Sequence, residues 1–252
     1  MRPIITALLS ILILCATESH AQDFYRRQLG FTRVKYAHDH LDSSLRRSFR
    51  ERGLDFPPRA VYLRVFKDER SVELWVRSAD SMALYRDYDF CGYSGTLGPK
   101  RAQGDMQVPE GFYQVTHFNP TSSYLLSLGL DYPNAADRIH TRGGNPGGDI
   151  YMHGRCVSIG CISVQDNDIR EIYLLAARAR AAGQQRIPVH IFPLRMTETR
   201  FAGLLNTVLE QPTLADFWTQ LKAGYDAFER NHRIPTLRVD PAGRYRLEVR
   251  QR

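Results

Sequence analysis

From Ala60 onward, apolar side chains fall on every second position: Val61, Leu63 and Val65, then Val72, Leu74 and Val76 beyond the polar residues 67–70. A period of two lines one face of an extended strand and suits no helix, so this part of the chain is committed to a β-hairpin and hence to a sheet. Between Asp87 and Val115, short β-like pieces alternate with Gly92, Gly95, Gly98-Pro99, Gly104 and Pro109-Glu110-Gly111, the punctuation of a compact sheet protein. Ile150-Tyr151-Met152 is a short strand running into His153, and residues 187–192 form another, where Pro188 is tolerated only at the start or on an edge.

Helices flank this β region. Ala37, Leu41, Leu45 and Phe49 recur every four residues before Gly53, which predicts an amphipathic helix with a glycine cap, an N-terminal extension. Asp166 is placed to cap a second helix with the stripe Ile169, Ile172, Tyr173, Ala176 and Ala177, closed by Gly183. Beyond Pro193, Phe201, Leu204, Leu205 and Val208 mark a third; Phe217, Trp218, Leu221, Tyr225 and Phe228 mark a fourth, and residues 238–249 end in a short hairpin around Pro241-Ala242-Gly243. Residues 138–148 hold four glycines and a proline, which predicts a mobile surface loop. The fold class is therefore mainly β with flanking α (α+β).

With 252 residues, 43% hydrophobic and 24% charged, the chain can bury a core, and disorder, collagen and coiled coil are excluded. The net charge is +7, and all but Lys35, Lys67, Lys100 and Lys222 of the 34 cations are arginines. They are dispersed, with no basic run interleaved with aromatics, so nucleic acid is not an expected partner. Arg2, an apolar stretch from Ile4 to Ala16 and Ser19-His20-Ala21 compose an export signal cleaved after residue 21. That stretch is about 13 residues where a membrane helix needs about 20, so no stable membrane span is expected after cleavage. An exported, periplasmic address is oxidising; Cys91, Cys156 and Cys161 are then an odd set, of which one stays a thiol.

The chemistry is concentrated in His153-Gly154-Arg155-Cys156-Val157-Ser158-Ile159-Gly160-Cys161. A cysteine directly after a glycine at a turn presents an open thiol. A thiol near neutrality needs a base beside it to become a nucleophile, and His153 is the nearest in sequence. The N–H groups of Gly160 and Cys161 are candidates to face the oxygen of a tetrahedral intermediate. Two other readings stand beside acyl transfer: a short-loop disulfide between Cys156 and Cys161 with His153 as a core residue, and a zinc site completed by Cys91 or His140, although the spacing matches no standard finger or ribbon.

The string His153-Gly154, an insert, then Ser158-Ile159-Gly160-Cys161 resembles the signature of the L,D-transpeptidase (YkuD-type) catalytic domain, which reads His-Gly, insert, Ser-His-Gly-Cys, usually with an arginine two positions further. Ile159 and Ser163 depart from that pattern. Arg64-Val65-Phe66-Lys67, Gly104-Asp105, Pro109-Glu110-Gly111, Asn119-Pro120 and Tyr132-Pro133-Asn134 resemble the YafK-type murein L,D-transpeptidase branch. The resemblance implies a β-sandwich or barrel catalytic domain at 60–194, after a signal peptide at 1–21 and a helical extension at 22–59, and before a C-terminal helical extension with a hairpin at 195–252.

It further implies Cys161 as nucleophile, His153 as general base, and Gly160, Ser158 and Ile159 in the oxyanion turn. Arg155, Arg138, Arg142, Tyr124 and Asn119 are candidate substrate-binding residues, residues 138–148 a candidate lid, and Cys156 a candidate redox partner of Cys161. The implied partner is the peptide stem of peptidoglycan, joined for an anchoring reaction by a wall-attached envelope protein. No cofactor and no metal are expected. The implied activity is an L,D-transpeptidase that forms a thioester and then crosslinks or anchors protein; the alternatives are an amidase of the same fold that releases wall-attached protein or peptide, and an inactive wall-binding protein.

Overall fold

The computed structural model describes residues 23–248, so the expected signal peptide lies outside the described residues. Eight strands close into a barrel: β1 (Val61–Phe66), β2 (Ser71–Ser78), β3 (Ser81–Gly92), β4 (Gly111–Asn119), β5 (Ser127–Leu130), β6 (Tyr151–His153), β7 (Ile162–Val164) and β8 (Ile187–Phe192). Around the barrel the order is β1-β2-β3-β7-β6-β5-β4-β8, with β8 parallel to β1 and β6 parallel to β7. The expected hairpin is β1–β2, in antiparallel register from Val61↔Val76 to Phe66↔Ser71.

Both faces of β1 and β8 are covered, and for this reason neither strand alternates apolar with exposed polar positions. Val61, Leu63, Val65, Val189 and Ile191 point into the main core. Phe66 and Phe192 face outward into a second cluster with Trp218, Leu221 and Tyr225, and Tyr62 joins Trp75 and Phe228 in a third. Pro188 sits at the second position of β8, opposite Gln114 of β4 and before the pairing with β1 begins at Val189, so its missing N–H costs the β1 ladder nothing.

After a helical segment at residues 23–29, the helices include α1 (Thr32–Glu51), α2 (Ala135–His140), α3 (Asp166–Ala181), α4 (Glu198–Asn206) and α5 (Pro212–Glu229), and a small sheet of β9 (Leu237–Val239) and β10 (Tyr245–Leu247) closes the described chain. The predicted stripe of α1 is buried at Ala37, Leu45 and Phe49, and Gly53 takes the positive φ of a helix stop. These side chains share the main core with α3 and the barrel interior.

Three local expectations are corrected. Of the pieces foreseen from Asp87 to Val115, residues 87–92 end one continuous twelve-residue strand, β3, held by β2 and β7, residues 111–115 open β4, and the chain between is irregular. Residues 138–148 do not begin as a loop: α2 covers Arg138, started by Asn134, whose side chain accepts the N–H groups of Ala136 and Asp137 while Asp137 returns a bond to Asn134 N–H. That reciprocal pair is a capping box, and it outweighs the glycines that follow. Asp166 does not cap α3; Gln165 is the cap residue, and the Asp166 carboxylate instead accepts Arg155 N–H at 2.9 Å.

Candidate active site

One open cleft of about 730 Å³ runs along β6, and both His153, the last residue of that strand, and Cys161, just before β7, line it. β6 and β7 run parallel with Met152 opposite Ile162 and His153 opposite Ser163, so Cys161 enters β7 two register steps from the imidazole, beside Tyr151. Gly160, at φ 128°, turns the chain into that position; a β-carbon there would meet Gln107 O at 3.0 Å, which is why no larger residue fits.

The loop between the two residues is braced from within. Ser158 Oγ donates to Cys161 O at 2.7 Å and accepts Gly160 N–H at 3.0 Å. Cys156 is joined to Cys91, at the end of β3, by a disulfide, and Cys161 is a free cysteine. This corrects the proposed Cys156–Cys161 redox pair: Cys156 is already bonded, and the same bond removes Cys91 and Cys156 as zinc ligands, since a disulfide sulfur offers no thiolate. His140 binds Gly243 O at 3.1 Å, away from these cysteines. Ser163 is fully buried and donates to Gly92 O at 2.9 Å, holding β7 to β3 rather than facing the cleft.

The electrostatics favour an uncharged resting pair. Burial pushes the Cys161 thiol above its usual range, and a main-chain hydrogen bond from Tyr151 only partly opposes it. Burial also lowers the His153 pKa. The thiol donates to Asp149 O at 3.6 Å. His153 Nδ1 lies 2.6 Å from Gly154 O, so in the neutral ring Nδ1 carries the proton and Nε2 is left as a base. Tyr124 stacks on the imidazole, ring centroids 4.5 Å apart, while its carbonyl accepts Gly154 N–H at 3.2 Å.

Of the candidate binding residues, Tyr124 and Asn119 line the cleft, as do Ser158 and Ile159 of the turn; Ile159 is 78% exposed at the rim. Arg138, Arg142 and Arg155 do not line it. Arg138 lies on α2, and Arg142 and Arg155 are exposed at positive-φ turns. The charged lining side chains that sequence reasoning missed are Lys100 and Asp149. Both lie in irregular chain with no periodicity, so only tertiary proximity reveals them. The expected lid contributes its last residues, Gly147 and Gly148, and is tied across to the β3–β4 connection, where Gln103 N–H donates to Asn145 O at 2.9 Å.

The sequence model described as "L,D-transpeptidase catalytic domain" (YkuD) matches residues 62–191. A protein of Escherichia coli (strain K12) named as an L,D-transpeptidase, YafK, is 40% identical over 187 residues, 73% of this chain and 72% of that protein. Among solved structures, the helical cell shape determining protein Pgp2 of Campylobacter jejuni is similar at TM-score 0.43 and 17% identity, covering 72% of this chain and 73% of that one. L,D-transpeptidase 1 of Mycobacterium tuberculosis is similar at TM-score 0.31 and 12% identity, covering 52% of this chain and 61% of that one. Likeness at those TM-scores carries no functional weight.

Proposed function

The chain belongs to the L,D-transpeptidase catalytic-domain family, and from that premise we propose that it is an exported cysteine acyltransferase acting on the peptide stems of peptidoglycan. The observation that carries the reading is a free thiol and an imidazole, its Nδ1 engaged by Gly154 O, lining one cleft, with the only disulfide among the described residues bracing the loop between them. Family membership and that disulfide both point to the cell envelope. No helix among the described residues is long and apolar enough to cross a membrane.

The proposed reaction has two acyl transfers. Cys161 Sγ passes its proton to His153 Nε2 and attacks the amide carbonyl carbon at the L-centre of a diamino acid; the S–C bond forms, the C–N bond breaks, and D-alanine leaves with the proton from His153. The former carbonyl oxygen, now an oxyanion, is held in the intermediate by Cys161 N–H, since Gly160 N–H is already given to Ser158 Oγ. An amine then displaces the thiol: a stem side-chain amine yields a 3-3 crosslink, a protein lysine an anchored protein. Water in its place makes the enzyme an amidase.

Digestion of purified sacculi with the protein, followed by fragment analysis, tests this. New 3-3 dimers or anchored protein are expected, and freed peptides or lost anchors without dimers identify the amidase instead. If neither appears and a carbapenem leaves the mass of the wild type unchanged, as it should for Cys161→Ala, the protein is an inactive wall binder and the catalytic reading fails.

A further inference from the structure

The cleft is not chemically symmetric about the thiol. Along β6 the order is Asp149, just before the strand, then Tyr151 beside Cys161, then His153 at the far end. Lys100 belongs to the Asp149 end: Tyr132 Oη bridges Lys100 O at 3.3 Å and Pro146 O at 3.0 Å, tying the lysine to the segment that leads into Asp149. The leaving amine must collect its proton from His153, so it departs past His153, and the acyl half of the peptide extends toward Lys100 and Asp149.

Among the described residues that line the cleft, Lys100 is the only lysine or arginine and Asp149 the only carboxylate. The Lys100 side chain is 5% exposed; its ammonium donates to Ala102 O at 2.8 Å and Asp105 Oδ1 at 2.5 Å, which leaves the third of its three N–H groups for an acceptor in the cleft. Asp105 is occupied elsewhere as well, accepting the N–H groups of Arg101, Ala102 and Gln107. Asp149 is exposed and held at φ 55°. The two charges act on the thiol in opposite directions, Lys100 lowering and Asp149 raising its pKa, so both stand within electrostatic reach of the reacting sulfur.

We propose that Lys100 and Asp149 together read a zwitterionic amino-acid head, one carboxylate and one ammonium, on the side chain of the residue that becomes the thioester. This deepens the acyl-transfer reading and rests on it. A head with an amine alone leaves the third Lys100 N–H without an acceptor, and a head with a carboxylate alone leaves Asp149 without a donor. An amidated head loses the Lys100 contact and sets a neutral amide beside a buried ammonium; an N-acylated head loses the Asp149 contact.

The test uses the full signal-cleaved chain and three synthetic tetrapeptide acyl donors whose third residue is a diamino dicarboxylic acid: head free, head carboxylate amidated, head amine acetylated. Wild type is expected to favour the free head over each modified form by about tenfold in kcat/KM, the ratio set by one charge-assisted contact. Lys100→Gln should erase the acid-over-amide preference and retain the amine-over-acetyl one. Asp149→Asn, which tolerates the same positive φ, should do the reverse. Equal turnover of all three peptides by wild type overturns the inference and leaves the enzyme intact. So does a Lys100→Gln variant slowed equally on all three, because that marks a lysine that only supports its loop. If no peptide is turned over and Cys161 resists the carbapenem, the enzymatic reading falls and takes this inference with it.

Discussion

At the scale of single residues, a thiol and an imidazole that both resist charging have a consequence in pH. A preformed thiolate–imidazolium pair alkylates at a rate that is already flat near neutrality. Here burial holds the Cys161 thiol up and the His153 imidazole down. The rate of iodoacetamide labelling at Cys161 should therefore keep rising through pH 9, and a plateau below pH 7 in the rate profile would contradict the neutral pair. Tyr124 is 45% exposed yet stacks on His153, so its role is to fix and shield the ring rather than to fill the core. Tyr124→Ala should lower kcat/KM by about three- to tenfold, the worth of one aromatic stack, while Tyr124→Phe keeps most of it and the melting temperature changes little in both. Equal losses in the two variants would shift the role to the hydroxyl.

At the scale of elements, the loop from Gly154 to Gly160 is anchored at both ends by strands and in its middle by the Cys91–Cys156 bond. The opposing backbone is close enough that a β-carbon on Gly92 would meet Cys156 O at 2.7 Å and collide with Ser163 Oγ. The cysteines are 65 residues apart, so by chain entropy the bond is worth about 4 kcal/mol. Titration of the native, oxidised protein should find one reactive thiol, and three should appear after reduction and unfolding of the signal-cleaved chain. Cys91→Ser/Cys156→Ser should lower both the melting temperature and the rate of Cys161 acylation, because the turn that carries Ser158 and Gly160 loses its tie to β3. Unchanged acylation in a destabilised double variant would confine the disulfide to a role in folding.

At the scale of the whole molecule, the C-terminal helices complete the barrel rather than decorate it. Glu110, fully buried, holds Lys67 Nζ at 3.0 Å and Gly98 N–H through one oxygen and Trp218 Nε1 at 2.7 Å through the other, so one carboxylate joins the β1–β2 turn, the β3–β4 connection that walls the cleft, and α5. Arg64 lies nearby between Phe66, Tyr225 and Phe228, paired with Glu229 at 2.7 Å. On the same outward face, His190 Nδ1 and the Tyr62 hydroxyl share a hydrogen bond of 2.7 Å, and His190 is held neutral by burial and by the Arg64 charge, its pKa lowered to about 3. Below pH 6.5 the unfolded chain binds a proton at this site that the folded chain refuses until about pH 3. Stability therefore falls across that window as the pH drops, by up to about 1.4 kcal/mol per pH unit. The buried acids Asp137 and Glu171, whose pKa values are raised by burial, act in the opposite sense, so the test is a difference. Denaturant unfolding from pH 6.5 to 4 should show a shallower loss for His190→Asn than for wild type, and parallel curves would refute the assignment.

The amino-acid sequence determined by itself whatever depends on local periodicity and on a short motif: the β1–β2 hairpin from alternation, α1 and α5 from helical spacing, and the proposed nucleophile and base from a His-Gly and Ser-x-Gly-Cys string within nine residues. It missed α2 by weighing the glycines of 143–148 over the Asn134–Asp137 capping box, and the one pairing it offered for Cys156, as an alternative, was with Cys161 rather than with Cys91. It sought carboxylate binders among the arginines nearest the motif, whereas Lys100 and Asp149 hold the cleft's charge. The capping box is local and was legible in the sequence, whereas the disulfide and the charges of the cleft were decided by contacts between segments far apart in the chain. Barrel closure alone brings the end of β3 and the β3–β4 connection against the turn that carries Cys161, and no local pattern encodes which distant loop will face a thiol.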